Sequence, residues 1–298
     1  MFDTLAHYKI LDRIGVGGTG EVYRGRDTRL GRTVAVKVLA GELVDDPGRR
    51  DRFLDYARAA SALSHPNIAA LYEIGDDQGR AFLVYEFVPG DTLTAVMGGR
   101  PINPRRAVDL GAQLADALAE GHAAGIVHGA LHPAHVIVTP KGNPKILDFG
   151  VAMSSGADAR SAAYLSPEQV RGDAIDHRTD IFSLGVLLFE MATGTLPRES
   201  RGTPALPRQL DAIIDKAIAK QPEQRYDSAA ALASDLRELA SALDARSTPE
   251  RMPMPVPDTR RRASLLPWLI VVLLIAGAAA WWFRDDLRAT WQTLSQSP

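Results

Sequence analysis

Four stretches of this chain bring together groups able to do chemistry. The loop His128-Gly129-Ala130-Leu131-His132-Pro133-Ala134-His135 carries imidazoles at i, i+4 and i+7. On one helix that spacing would gather them into a nitrogen-rich metal site. Pro133 breaks helical geometry within the run, so a loop with His128 packed beneath it is the competing reading. Gly15-Val16-Gly17-Gly18-Thr19-Gly20-Glu21-Val22 is glycine-rich. Glycines let a backbone fold over phosphates without Cβ clashes and turn its amides toward anions. A plain hairpin turn would use the same residues. Lys37 closes Val34-Ala35-Val36-Lys37, where a lone strand lysine would be solvated surface. Asp148-Phe149-Gly150 sets one carboxylate downstream of the histidine loop. The chain has no cysteine, which excludes disulfides, thiol catalysis and thiolate metal ligands and fits a reducing compartment.

These groups need elements to position them. Residues 8–88 read as short strands plus one helix: Asp3 to Ile14 leads into the glycine turn, Arg32 to Leu39 is β-rich, Arg49 to Leu63 has helical periodicity, and Ala81 to Val88 is an apolar strand. Beyond Gly90 the pattern turns helical, over Pro104 to Gly121, Ile181 to Thr193, Leu210 to Lys220 and Ser228 to Leu243. A β-rich lobe followed by a helical lobe predicts an α+β, bilobal domain over 8–243, with lobes of about 8–88 and 89–243. A Pro-rich, then basic, linker occupies 244–262, including Met252-Pro253-Met254-Pro255 and Arg260-Arg261-Arg262. Ala263 to Phe283 holds no charge, and 265–283 is nearly all apolar. As helix that run spans roughly 28 Å, close to a bilayer core of about 30 Å, which predicts one transmembrane helix. Trp268 and Trp281-Trp282 sit where interfacial aromatics belong, and the basic triplet puts the preceding domain on the cytoplasmic side, leaving 284–298 as a short outer tail. Met1 to Lys9 has no apolar core, so no cleavable signal is expected. A net charge of −2 gives no electrostatic reason to expect nucleic acid.

The stretches also occur in a telling order. Gly15 to Val22 matches G-x-G-x-x-G-x-V, and Val34 to Lys37 matches V-A-I-K. Asp148-Phe149-Gly150 is followed by Tyr164-Leu165-Ser166-Pro167-Glu168-Gln169, by Asp180 to Gly185 in a D-x-x-S-L-G pattern, and by Pro222 to Arg225. On these residues the chain resembles a bacterial, membrane-anchored, eukaryotic-type serine/threonine protein kinase over Tyr8 to Leu243. The resemblance implies an adenine-nucleotide site at Gly15, Val16, Gly17, Gly18, Thr19, Gly20, Val22, Ala35, Lys37, Glu86 and Val88. In it Lys37 would meet the α- and β-phosphates, Tyr85 would be the gatekeeper beside the hinge, Asp148 would hold Mg, and Arg225 would pair Glu168.

Against that frame the catalytic loop is dismantled. Gly129 stands for the family's Arg, Ala130 for its catalytic Asp, His132 for its Lys and His135 for its metal-binding Asn. Losing a general base costs about 10²–10⁴ in rate. Without the loop Arg, Ser154, Ser155 and Ser161 lack the usual partner for a phosphate-driven switch. In the helix expected to pair Lys37, Tyr56 occupies the Glu position, on one face with Phe53, Ala60 and Leu63. The expectation is therefore a pseudokinase at the inner (plasma) membrane, single-pass with its domain cytoplasmic. It would signal by binding a protein partner such as an active kinase or that kinase's substrate, and would bind ATP weakly, with Mg through Asp148. The alternative is a weakly active serine/threonine kinase using an unconventional base.

Overall fold

The computed structural model describes residues 3–17, 19–41, 47–149, 161–197, 206–247 and 266–282. The chain divides into two units, 1–247 and 248–298. In the first, six strands form an antiparallel sheet in the order β1-β2-β3-β4-β6-β5: β1 Thr4–Leu5, β2 Tyr8–Gly17, β3 Gly20–Asp27, β4 Thr33–Leu39, β5 Leu71–Asp77 and β6 Arg80–Glu86. Alternation along β4 sends Val34 and Val36 to one face, where they pack with Leu5, Tyr8, Phe82 and Val84. Ala35, Lys37 and Leu39 face the other way, toward helix α1 (Pro47–Ala60), whose Phe53 and Ala57 pack with Leu83 and Tyr85.

The helical half is built around α3 (Pro104–Ala123), which follows the short helix α2 (Leu93–Met97). Asn103 caps α3, accepting the amide of Arg105, and Pro104 opens the helix where its missing N–H costs nothing. Leu110, Leu114 and Leu118, at i, i+4 and i+8, form a fully buried stripe. It packs with α5 (Arg178–Thr193) and α7 (Ala229–Ser247) in one large core that includes Leu184, Leu188, Leu232 and Leu236. The remaining helices are α4 (Pro167–Arg171), opened by a Ser166/Gln169 capping box, and α6 (Arg208–Ala217). A small sheet is formed by β7 (Asp91–Thr92), β8 (Val136–Val138) and β9 (Pro144–Ile146), and its β8 and β9 connect the histidine loop to Asp148 along the chain. The β-rich and helical lobes expected from sequence are both present.

In the second unit, helix α8 covers Leu266–Trp282. It lies within the expected 265–283 run and exposes Leu273, Leu274, Ile275, Trp281 and Trp282. Among the described residues no helix is long and apolar enough to cross a membrane. The basic triplet and the expected outer tail lie outside the described residues.

Candidate functional site

Lys37 is presented by strand register. Ala35 lies opposite Tyr85 and Lys37 opposite Leu83 across β4 and β6, so these four share one face. Lys37 is only 4% exposed. An ammonium so buried needs a partner, and Asp148 supplies one, Nζ to Oδ2 at 2.8 Å. The helix that should have faced Lys37 is turned differently from the sequence reading. Phe53, Ala57 and Ala60 are its buried face, while Tyr56 is 49% exposed and Asp55 pairs on the surface with Arg58 at 2.7 Å. Ala57 lies one turn beyond Phe53, and its small side chain lets the helix approach the sheet. Tyr56 therefore points away from the glutamate direction expected for it.

Asp148 adopts φ +57°, a left-handed conformation that costs a residue with a Cβ about 1–3 kcal/mol and gathers at functional sites. The next residue, Phe149, is buried edge-on to the His128 ring, with centroids 5.3 Å apart. It also lies against Gly121 of α3, where a Cβ would sit 2.2 Å from the ring. His135 Nε2 is 3.9 Å from the same Asp148 Oδ2 that Lys37 holds. Burial pushes the Asp148 carboxyl up, but Lys37 and His135 together outweigh it and hold the group below its ordinary value. Gly150, Ser154 and Ser155 lie outside the described residues.

The histidine loop is held from below by Asp180 at the start of α5. Its buried carboxylate accepts the amides of His128 (2.8 Å) and Gly129 (2.7 Å) and contacts His122 Nε2 at 2.8 Å. Gln169 donates to the Gly129 carbonyl at 2.6 Å. His128 is fully buried, as expected of a packing residue. Its Nε2 lies 3.0 Å from the Leu147 carbonyl and its Nδ1 accepts the Ala130 amide at 3.2 Å, which fixes a neutral ring. Burial pushes its pKa down to about 4. Both nitrogens are used, so His128 cannot join a metal cluster with the other two. Among the described residues no group of three or more His, Cys, Asp or Glu is arranged to hold a metal. His132 caps the turn Pro133–His135, accepting the Ala134 amide at 3.3 Å, and its ring stacks obliquely on His135 at 4.0 Å. Ala130 contributes a methyl and backbone groups; its carbonyl meets His135 Nδ1 at 2.8 Å. The loop presents no carboxylate.

Glu168 and Arg225 complete the floor, as the sequence pattern implied. Arg225 donates two bonds, at 2.6 and 2.7 Å, to the Glu168 carboxylate, and both side chains are buried. Burial opposes ionisation of Glu168, yet Arg225 and the Thr179 hydroxyl hold it down to about 2.

The roof is the β2–β3 hairpin, with Gly17 opposite Gly20. Gly20 has φ +145°, and a Cβ there would meet the Val38 carbonyl at 1.9 Å. A Cβ at Gly15 would make only ordinary contact with Val22 and one at Gly17 would meet nothing, Gly18 lies outside the described residues, Val16 is exposed and Thr19 is buried. Val22 lies opposite Lys37, beside Ala35 on the neighbouring strand. At the far end of β6, Lys145 of β9 clasps Glu86 at 2.8 Å, and Val88 is buried just beyond. Sequence reading missed this clasp, the Phe149–Gly121 contact and the state of Tyr85. The Tyr85 hydroxyl is buried without a hydrogen-bond partner among the described residues, and burial together with Asp148 pushes its pKa well up.

The geometry suits an anion with a cation poorly. Lys37 offers a buried positive charge beneath the hairpin. For Mg²⁺, which takes oxygen ligands, Asp148 is one suitable side chain, and the imidazole of His135 at the second position is not.

A protein kinase domain profile matches residues 8–255. The chain is 37% identical over 262 residues to the serine/threonine-protein kinase PknB of Mycobacterium leprae, covering 77% of this chain and 42% of that protein. It is 33% identical over 258 residues to the serine/threonine-protein kinase PrkC of Bacillus subtilis, covering 77% and 40%. The chain thus spans well under half the length of these curated relatives. Among solved structures, the PknI kinase domain of Mycobacterium tuberculosis superposes with a TM-score of 0.67 at 25% identity, covering 80% of this chain and 97% of that one.

Proposed function

The chain belongs to the protein kinase domain family, and we propose that it is a bacterial serine/threonine-kinase-like protein that signals by binding rather than by phosphate transfer. One observation carries this reading: Ala130, where the family has its proton-accepting Asp, offers only a methyl group, and its backbone is tied to His128 and His135. The Ala130 side chain cannot take the proton of a substrate hydroxyl, and loss of such a base costs about 10²–10⁴ in rate. His132, at the Lys position, spends Nδ1 on a turn amide. The nucleotide-facing residues are better kept. The hairpin, Lys37, the hinge strand and Asp148 form a slot for weak ATP binding, in which Lys37 would leave Asp148 for the phosphates. The family resemblance implies ATP with Mg²⁺, and Mg²⁺ here would help only modestly, since among the described residues of the slot Asp148 is the one side chain placed to give it an oxygen.

The domain is proposed to sit on the cytoplasmic side of the plasma membrane, tethered by 265–283 through the 244–262 linker and acting on a protein partner such as an active kinase. Supporting this are the uncharged run from Ala263 to Phe283, the basic triplet before it, and the exposed apolar side chains of α8.

The test of activity is phosphate transfer from labelled ATP by the full chain, beside Lys37→Ala. Equal signals are expected; transfer abolished by Lys37→Ala would overturn the reading. Topology is tested in the cysteine-free background: Ser297→Cys should react with an impermeant reagent on intact cells and Ser247→Cys should not. The reverse labelling would refute it.

A further inference from the structure

We propose that His122 and His177 form a seat for a borderline divalent ion, represented by Zn²⁺, beneath the histidine loop rather than in the nucleotide slot. Its ligands are imidazoles alone, so it stands whether or not the chain binds ATP.

The pair comes from two helix ends. His122 lies in the last turn of α3, and His177 occupies the N-cap position of α5. His177 and Asp180, three residues apart, share one face of α5, and His122 lies against both. Its Nε2 is 2.8 Å from Asp180 Oδ2, and its ring centroid is 5.5 Å from that of His177. Hydrogen bonding fixes which nitrogens keep a lone pair. The Asp180 carboxylate accepts from His122, so Nε2 carries the proton and the neutral ring has its lone pair on Nδ1. The Asp227 carbonyl, 2.8 Å from His177 Nε2, can only accept, so that ring too has its lone pair on Nδ1. Each imidazole is backed by an acceptor at its far nitrogen, the usual arrangement of a metal-ligating histidine. His122 Nδ1 is also buried without a hydrogen-bond partner among the described residues, on a side chain 9% exposed. It is the exception beneath the loop, where Asp180, Glu168 and Arg225 are all paired. A buried acceptor left empty is costly, and an ion would satisfy it.

Geometry and charge suit that use. Two imidazoles on one tetrahedral zinc, with bonds of about 2.0–2.1 Å, place their ring centroids about 5 Å apart, close to the 5.5 Å found here. Imidazole selects Zn²⁺ and its neighbours over Mg²⁺. Asp180 beside His122 and Asp176 beside His177 set negative charge near the ion, while Arg178 is held by two bonds to Asp176. Water would fill the remaining positions from the side of the half-buried His177, consistent with no group of three ligands among the described residues. Zinc on Nδ1 would strengthen the Nε2–H bond to Asp180, the carboxylate that holds the His128 and Gly129 amides. The ion would thereby tighten the loop's anchor.

The experiment is calorimetric titration of Zn²⁺ into the full chain without nucleotide, for wild type, His177→Ala, His122→Gln and His135→Asn. Either substitution in the pair is expected to weaken binding at least about ten-fold, the least that losing even an outer-shell partner costs. His135→Asn, which removes an imidazole of the loop above, should bind like wild type. No zinc binding by wild type, undiminished binding in His177→Ala, or an equal loss in His135→Asn overturns the seat. His122→Gln keeps a donor toward Asp180; if it does not fold, His177→Ala decides alone, with His177→Gln in reserve. Amide exchange gives the second reading. Zinc should slow exchange at His128 and Gly129 in wild type and not in His177→Ala; unslowed exchange in zinc-bound wild type overturns the link to the loop.

Discussion

The floor beneath the histidine loop and the surface above it are built from the same kinds of residue to different ends. Below, carboxylates are spent on structure: Asp180 takes two loop amides and His122, and Glu168 takes both arms of Arg225. Above, the carboxylate that chemistry would need is missing at Ala130, and Asp148 is engaged by Lys37. The difference teaches that the loop's shape and its reactivity are separable. The shape is held by backbone amides, which any side chain carries, so Ala130 and His135 can replace reactive residues without loosening the frame. A protein that works by presenting a surface needs that frame and not the base.

The largest expected effect breaks the floor. Glu168→Ala would strand the Arg225 guanidinium, whose side chain is fully buried. Removing one partner of such a pair costs about 3–5 kcal/mol. Urea unfolding of the full chain should show a loss of that size; less than about 1 kcal/mol, an ordinary surface value, would mean the floor is not what holds the loop.

Acid should attack the buried groups under the loop in sequence. His128 is lowered from 6.5 to about 4. Between those values the unfolded chain binds the proton and the folded chain does not, so stability falls as pH drops from about 6.5 to 4, by on the order of 3 kcal/mol. Glu168, lowered from 4.5 to about 2, adds a second loss as pH falls through that lower window. Melting temperatures at stepped pH should show both phases, and His128→Asn should flatten the upper one. A flat wild-type profile from pH 7 to 4 would contradict a neutral, buried His128.

A smaller effect is expected where floor and upper surface meet. Gly121→Ala would place a methyl 2.2 Å from the Phe149 ring, with the ring already against His128. Overpacking of this kind costs about 1–3 kcal/mol. The displaced ring should carry Asp148 with it, so the variant should also weaken nucleotide binding in a thermal-shift titration. Unchanged binding beside a lower melting temperature would show that Phe149 packs without positioning Asp148.

Much of this was legible in the sequence, for a physical reason. Glycine at Gly20, the alternation of Val34 and Val36 around Lys37, and the paired Glu168 and Arg225 are each demanded by local geometry or by buried charge, so residue type and order reveal them. What escaped depends on how elements rotate and approach. The phase of α1 was misread because Tyr56 and Ala57 both lie near a line through Phe53, and only packing against Leu83 and Tyr85 selects the alanine. Gly121 reads as an unremarkable helix residue until Phe149 lies on it, and the Lys145–Glu86 clasp joins strands from different lobes.

The subtlest prediction concerns Tyr85, where the upper surface differs most from the floor in how its polar atoms are treated. The hydroxyl is buried, has no hydrogen-bond partner among the described residues, and lies in the field of Asp148. Such a group costs free energy relative to the same ring without it, so Tyr85→Phe should raise ligand-free stability by about 1 kcal/mol or less, the small void offsetting part of the gain. Millimolar ATP sharpens the comparison. If nucleotide brings an acceptor or donor to the hydroxyl, the wild type gains a bond that the variant cannot form, and the difference in melting temperature should shrink or reverse. The same advantage with and without ATP would place the bound nucleotide away from this face of β6. A variant less stable than wild type without ligand would mean that the hydroxyl already has a partner in solution, and the contrast between a satisfied floor and an open upper surface would then fail at this residue.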